Sequence, residues 1–456
     1  MHILSPRNLL ALWATISVLA CASEAGPPAD TLDAMVDVNQ DDTNADTSGD
    51  LDAVAEDAVA LPHWESIVDN PIWTLTIAPE DIAALEEDVF ADVEVPASLM
   101  ADGAFYNITI KLQGGSSRVY PKKNYRLKFP SKAPFMGDPF GDGGEKKGFA
   151  RLILRASWKD QSFVREALAF DALRAIELHA PRVSWINLKL NGEYWGLYTV
   201  VEPVDTDFLS RRQLRSGGTL YKAVDQAAGF KPDVDIEKGY EKKAGPGDDD
   251  ANYDDLVDLL ELIWKTPATE EDYLSALDPV FPIERMMKRL MWASYTQNGD
   301  SIRHNYYLYH EPSLWPDDEN QKGVWWILPW DSDICFANHW NVDKEMEPIE
   351  NDTMLNGPAF LSERFAEIEA FRHLFVDTYQ VYLESTWSTE TMSQLTETLF
   401  EQHFDDVNRD LERWERTSNA KQEFDEIRLF LEERPNILHP LLLEFRDNRD
   451  IDEIDP

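Results

Sequence analysis

Two acidic segments, each joined to a short aromatic strand, constrain this chain more than any other feature. Asp300-Ser301-Ile302-Arg303-His304-Asn305 runs directly into Tyr306-Tyr307-Leu308-Tyr309, and Val324-Trp325-Trp326-Ile327-Leu328 runs into Pro329-Trp330-Asp331-Ser332-Asp333. Both apolar stretches are rich in aromatic and β-branched residues and read as buried strands of one hairpin. An acid, an amide five positions later and a second acid beyond the next strand suit phosphoryl transfer. One carboxylate receives a hydroxyl proton, while the amide and the later acid hold a metal ion against the phosphates. In a chain with 85 Asp and Glu, D-x-x-x-x-N alone arises by chance. The order of its neighbours gives it meaning.

A net charge of −43 excludes a general nucleic-acid binder, which needs Lys and Arg to displace counterions from the phosphate backbone. It would also repel a nucleotide from most of the surface. One segment concentrates the opposite charge: Gln113-Gly114-Gly115-Ser116-Ser117-Arg118-Val119-Tyr120-Pro121-Lys122-Lys123-Asn124-Tyr125-Arg126-Leu127-Lys128-Phe129. Alternation predicts strands over 107–112 and 124–129. Between them, Gly114, Gly115 and Ser116 let backbone N–H groups approach an anion, although the same stretch also serves as a plain hairpin turn. Period two sets Lys123 on the Leu127/Phe129 face and Lys122 on the other. If the apolar face turns inward, Lys123 is the better placed to reach a cleft and Lys122 is the close alternative.

Downstream, 163–178 reads as an amphipathic helix with Ser162 as N-cap and Arg165 and Glu166 in its first turns. Strands follow over 183–190 and 195–201, joined by Asn191-Gly192-Glu193, a strong hairpin signal. Glu202-Pro203 ends the second strand where a connection between two lobes would fall. Helical periodicity then dominates, over 253–265 and 282–297, and leads into Asp300.

The N-terminus carries Arg7, an apolar run from Leu9 to Ala20, and Cys21, the pattern of a signal peptide. Val18-Leu19-Ala20-Cys21 resembles the bacterial lipobox, whose Cys is acylated. Leu19 departs from the usual small residue there, so ordinary signal cleavage stands as the alternative. The only other cysteine is Cys335, which leaves no internal disulfide after processing. Residues 22–60 are rich in Asp, Ala, Thr and Ser without an aromatic, and read as a solvated spacer. Asp37-Val38-Asn39-Gln40-Asp41 opens like a calcium loop, but Asp42 and Ser48 stand where Gly and Glu are needed. The expected layout is a signal peptide at 1–21, a linker at 22–60, an N-lobe at 61–202, a C-lobe at 203–445 and an acidic tail at 446–456.

These blocks together resemble the spore coat protein H (CotH) kinase family. The Gly-Gly-Ser-Ser…Pro-Lys-Lys-Asn-Tyr-Arg-Leu-Lys-Phe hairpin, Leu190-Asn191-Gly192-Glu193-Tyr194-Trp195-Gly196-Leu197-Tyr198 with Glu202, the Asp300…Asn305 and Asp331…Asp333 segments, and Phe430-Leu431-Glu432-Glu433-Arg434 carry the likeness, over roughly Trp73 to Phe445. The resemblance implies an α+β, bilobal protein-kinase-like fold, with an antiparallel-sheet N-lobe holding one helix and a mainly helical C-lobe. It implies transfer of the γ-phosphate of ATP, with Mg²⁺ or Mn²⁺, to Ser or Thr of envelope, coat or surface proteins. Carried over, Asp300 is the catalytic acid, and Asn305 and Asp331 are metal ligands with Asp333 as a second candidate. Lys122 or Lys123 pairs with the phosphates, Glu166 is the orienting helix acid and Glu202 lies at the hinge. Phe336-Ala337 departs from the Phe-Gly often found after the metal acid. The expected partners are ATP, a protein bearing exposed Ser or Thr, and a membrane through the N-terminal lipid alone.

A different class of function competes with this reading: a catalytically weak surface protein using the same scaffold in adhesion or in envelope or coat assembly. The joint presence of Asp300, Asn305, Asp331 and an upstream Lys favours chemistry. His304 reads as a packed residue, and His339 lacks a second ligand at metal spacing. No Ser-His-Asp pattern of hydrolase type and no internal repeat are present.

Overall fold

The computed structural model describes residues 70–140, 148–225, 227–230, 235–246, 252–265, 276–298, 304–314, 322–338, 365 and 368–447. Cys21, the expected leader and linker, Asp300 and the end of the acidic tail lie outside these residues.

Seven strands carry period-two burial and wrap around one apolar core. They are β1 Ile72–Thr76, β2 Val95–Ala101, β3 Ala104–Leu112, β4 Tyr125–Lys128, β5 Arg151–Arg155, β6 Val183–Leu190 and β7 Glu193–Val201. Trp73, Leu75, Ile110, Leu127, Leu152, Leu188 and Val200 fill the interior. The expectation of an antiparallel-sheet N-lobe is corrected: the strands close into a barrel in the order β1-β2-β3-β4-β5-β7-β6, and its β1–β6 pair is parallel. Closure removes the exposed edges that an open sheet would leave. Helix α1 Pro79–Glu87, with proline in its first turn, joins the barrel. The expected single helix, α2 Arg165–Arg174, packs instead into a second, larger core. Asn191 and Gly192 turn the β6–β7 hairpin at φ of 51° and 92°, the conformation their dipeptide favours.

That larger core surrounds a second sheet of β8 Thr219–Ala223, β9 Tyr240–Ala244, β10 Tyr306–Glu311 and β11 Val324–Pro329, ordered β11-β10-β8-β9. Between and around these strands lie α3 Thr206–Arg211, α4 Ile236–Gly239, α5 Asp254–Lys265, α6 Ile283–Thr296, α7 Glu369–Glu384, α8 Thr389–Arg413 and α9 Ala420–Arg446. Among the described residues no helix is long and apolar enough to cross a membrane.

Helix α8 docks on the outside of the barrel through buried polar contacts. Asp406 accepts from Asn70 at 2.6 Å and from Asn187 at 2.9 Å, and Asp410 accepts from the Leu197 N–H at 2.8 Å. Gly196 permits that last approach. Its φ is 142°, and a Cβ there would overlap Asp410 Oδ1 and lie 2.9 Å from Lys122 Cε. Gly196→Ala is therefore expected to cost roughly 1–3 kcal/mol through strain and displaced contacts. A urea midpoint equal to the parent's would contradict this docking.

Candidate functional site

Hairpin geometry assembles the acidic end of the site. Because Tyr306 pairs with Pro329, the residues just before β10 and just after β11 emerge side by side. Asn305 immediately precedes β10 and Trp330-Asp331 immediately follow β11, and the Trp330 N–H donates to the Asn305 carbonyl at 3.1 Å. Asn305 and Asp331 adopt left-handed backbone, with φ of 60° and 54°. Asn and Asp tolerate this region better than other non-glycine residues, and such conformations recur at functional sites.

These residues open onto a cleft of about 570 Å³. It is lined by Gly114, Gly115, Ser116, the 3-10 turn Ser116–Val119, Asn124, Arg126, Arg155, Glu166, Lys222, Asn305, Asp331 and Asp333. The volume lies in the range of small-molecule sites. Its described lining holds eight Lys and Arg against six Asp and Glu, in a chain that overall has 42 against 85. The cleft therefore offers an anion a local environment unlike the rest of the surface.

Arg155, at the end of β5, organises the acids. Its guanidinium pairs with Asp331, lies 3.4 Å from Glu166 Oε1 and sits over the Trp330 ring at 4.9 Å. The Ser332 N–H donates to Glu166 Oε1 at 3.3 Å. Burial alone would raise all three acids, but Arg155 holds the directly paired Asp331 below the ordinary carboxylate value. Asp333, pushed up by burial and by the charge of Asp331, stays well above that value. One guanidinium does not offset three carboxylates in a shielded pocket.

Glu166 is pushed from 4.5 to about 7, by burial first, with Arg155 opposing and Asp331 adding to the rise. A carboxyl whose folded pKa exceeds its unfolded one holds a proton that the unfolded chain has released. This group therefore lowers stability as pH rises from about 4.5 to about 7. Glu166→Gln is expected to flatten that part of the pH–stability profile, read from urea midpoints. An unaltered slope would contradict the shift.

The start of α2, and with it Glu166, is fixed by its neighbour. Arg165 is buried and donates to Asp160 Oδ1 and to Glu423 Oε2 of α9, each at 2.9 Å, and to the Phe336 carbonyl at 3.1 Å. The expected Ser162 cap is corrected: the helix begins at Arg165 with Val164 in the N-cap position, and Asp160, which also accepts from Ser162, takes the Arg165 N–H.

Three of the expected cofactor contacts are placed elsewhere. Lys122 borders the cleft, but its ammonium is buried against Asp410 at 2.5 Å and donates to the carbonyls of Ala156 and Leu197. Lys123 donates to the Arg118 carbonyl at 2.7 Å and does not line the cleft. The face carrying Leu127 and Phe129 turns into the barrel, so the opposite face, with Asn124 and Arg126, meets the cleft. Glu202 is fully buried outside the cleft, where Arg182 and Arg212 donate to it at 2.9 and 2.8 Å. It ties the strand end to α3 as a structural ion cluster. Sequence reading missed Arg155, whose only signal is a cation closing the apolar run Leu152-Ile153-Leu154 just upstream of α2, and Lys222 of β8.

The oxygen donors of Asn305, Asp331 and Asp333 suit a hard divalent cation. Among the described residues no three His, Cys, Asp or Glu side chains form a ready cage.

Comparison with known proteins follows the same lines. The family described as CotH kinase protein matches residues 110–438. Inner spore coat protein H of Bacillus subtilis (strain 168) is 26% identical over 340 residues, covering 73% of this chain and 86% of that protein. Among solved structures, the Helicobacter pylori proinflammatory kinase CtkA overlaps 64% of this chain and 91% of its own, at 9% identity and a TM-score of 0.26. HipA, from a Shewanella oneidensis MR-1 toxin–antitoxin complex with HipB and operator DNA, overlaps 83% and 74% at 11% identity and a TM-score of 0.30. Superpositions at that level do not bear on the site. The family match spans the glycine-rich turn, Arg155, Glu166, Asn305 and Asp331 in one continuous stretch, and the chain belongs to the CotH kinase protein family.

Proposed function

We propose that this protein is an atypical, metal-dependent kinase that moves the γ-phosphate of ATP to Ser or Thr of envelope, coat or surface proteins. The observation that carries the reading is the joining of Asn305, Asp331, Arg155 and Glu166 at the cation-enriched cleft below the Gly114-Gly115-Ser116 turn. The backbone N–H groups of that turn cradle phosphate oxygens. Arg155, aligned by Glu166, takes the place filled by a strand lysine paired with a helix acid in protein kinases. Asn305 and Asp331, with Asp333 beside them, would hold the divalent ion, which would neutralise phosphate charge.

Asp300, in the connection just before Asn305, receives the proton of the acceptor hydroxyl. As the bond from that oxygen to the γ-phosphorus forms, the bond to the β-phosphate oxygen breaks and ADP leaves. The N-terminal pattern supports export and anchoring through an acylated Cys21.

Asp300→Asn separates binding from chemistry. It is expected to keep ATP-induced thermal stabilisation and to lose transfer by at least about a hundredfold, as for removal of a general base. Full transfer by this variant would refute the role of Asp300. If the parent is not stabilised by ATP with Mg²⁺ or Mn²⁺, the scaffold role in adhesion or coat assembly is the better reading.

A further inference from the structure

The cleft contains one lysine with no structural task. Lys111 and Arg118 pair with Asp92, Lys122 with Asp410, Arg155 with Asp331, and Lys243 with Glu241. Lys222 also lines the cleft, yet its ammonium has no hydrogen bond or ion pair among the described residues. Its strand neighbours explain the position. Tyr221 is fully buried and Lys222 opposes Tyr307 across the β8–β10 ladder, so alternation turns the ammonium to the cleft face of the sheet that delivers Asn305. Its cross-strand partner Glu241 is already paired with Lys243.

Holding a half-buried ammonium without a direct partner is unfavourable, since burial disfavours its charge more than Asp331 across the cleft and Glu241 on the next strand favour it, and Lys243 and Arg155 add to the cost. An arriving anion would remove that cost.

We propose that Lys222 binds the terminal phosphoryl group of the nucleoside triphosphate and sets the preference of the cleft for triphosphate over diphosphate. This rests on the kinase reading above. The end of the nucleotide is assigned by position. The ion that Asn305 and Asp331 would hold bridges the phosphates on either side of the bond that breaks, so the group being transferred lies at that end of the cleft. Lys222 stands on the same sheet as Asn305, whereas the glycine-rich turn belongs to the barrel. A flexible ammonium suits a phosphoryl group that changes position during transfer.

The test is calorimetric titration of the full chain with a non-hydrolysable ATP analogue and with ADP, each with Mg²⁺. The parent is expected to favour the triphosphate. Lys222→Met, which keeps the aliphatic stem, is expected to weaken the triphosphate about tenfold or more, the value of a charge-assisted hydrogen bond, and to leave ADP within about twofold. Lys222→Arg should recover most of the loss. If Lys222→Met does not fold, Lys222→Gln is read in the same way. Equal weakening of both nucleotides, or of neither, overturns the assignment while leaving a nucleotide site in place. Absence of binding by the parent overturns the kinase reading and this inference together.

Discussion

Asp331→Asn is expected to lower phosphoryl transfer by at least about a hundredfold and to abolish its dependence on Mg²⁺ or Mn²⁺, with the fold intact. Asparagine is the informative replacement because Asp331 sits at φ 54°, a conformation asparagine accepts and most residues do not. The change removes the charge without adding backbone strain. Arg155 loses its direct partner but keeps Glu166 at 3.4 Å and the Trp330 ring beneath it, so its charge is not stranded. Turnover and metal dependence are read together, beside a thermal melt. A variant with the parent's rate and metal response would remove Asp331 from the site.

The second large effect is on stability. Lys122→Met leaves Asp410 buried without its cation and is expected to cost about 3–5 kcal/mol, the usual penalty for breaking a buried pair. Adding Asp410→Leu should recover much of that loss, because an apolar pair of similar volume avoids desolvating two charges. Urea midpoints of the two single variants and the double variant complete the cycle. If Lys122 were the phosphate cation, Lys122→Met would instead weaken ATP binding at unchanged stability, and that result would reverse its placement.

Lys122 also shows why some of the site was legible in the sequence and some was not. The juxtaposition of Asn305 and Asp331 follows from hairpin arithmetic, since two adjacent strands bring their flanking residues together. The Asn191-Gly192 turn likewise follows from residues that accept positive φ. Glu166 was legible as a first-turn acid of its helix, although that helix begins at Arg165, two residues later than the local signals place it, because Phe163 takes positive φ. Lys122 was decided by Asp410, 288 residues away, on a helix whose docking leaves no local mark on the β4 segment. Which face of β4 meets the cleft depends on barrel closure, and closure depends on a β1–β6 pairing that alternation does not specify. Glu202 reads as a hinge acid until Arg182 and Arg212 are folded against it. Arg155 belongs to a short buried strand that resembles many others, and its role emerges only when α2 and the β11 end converge on it.

The measurement closest to the central claim uses the full chain, Mg²⁺ or Mn²⁺, and ATP radiolabelled in either the γ- or the α-phosphate. Label is then sought on the protein itself and on a Ser/Thr-rich acceptor, with Asp331→Asn run alongside. Label from the γ position only, lost in the variant, is the expected result. Label from the α position, or none from either together with no ATP-induced thermal shift, would contradict it.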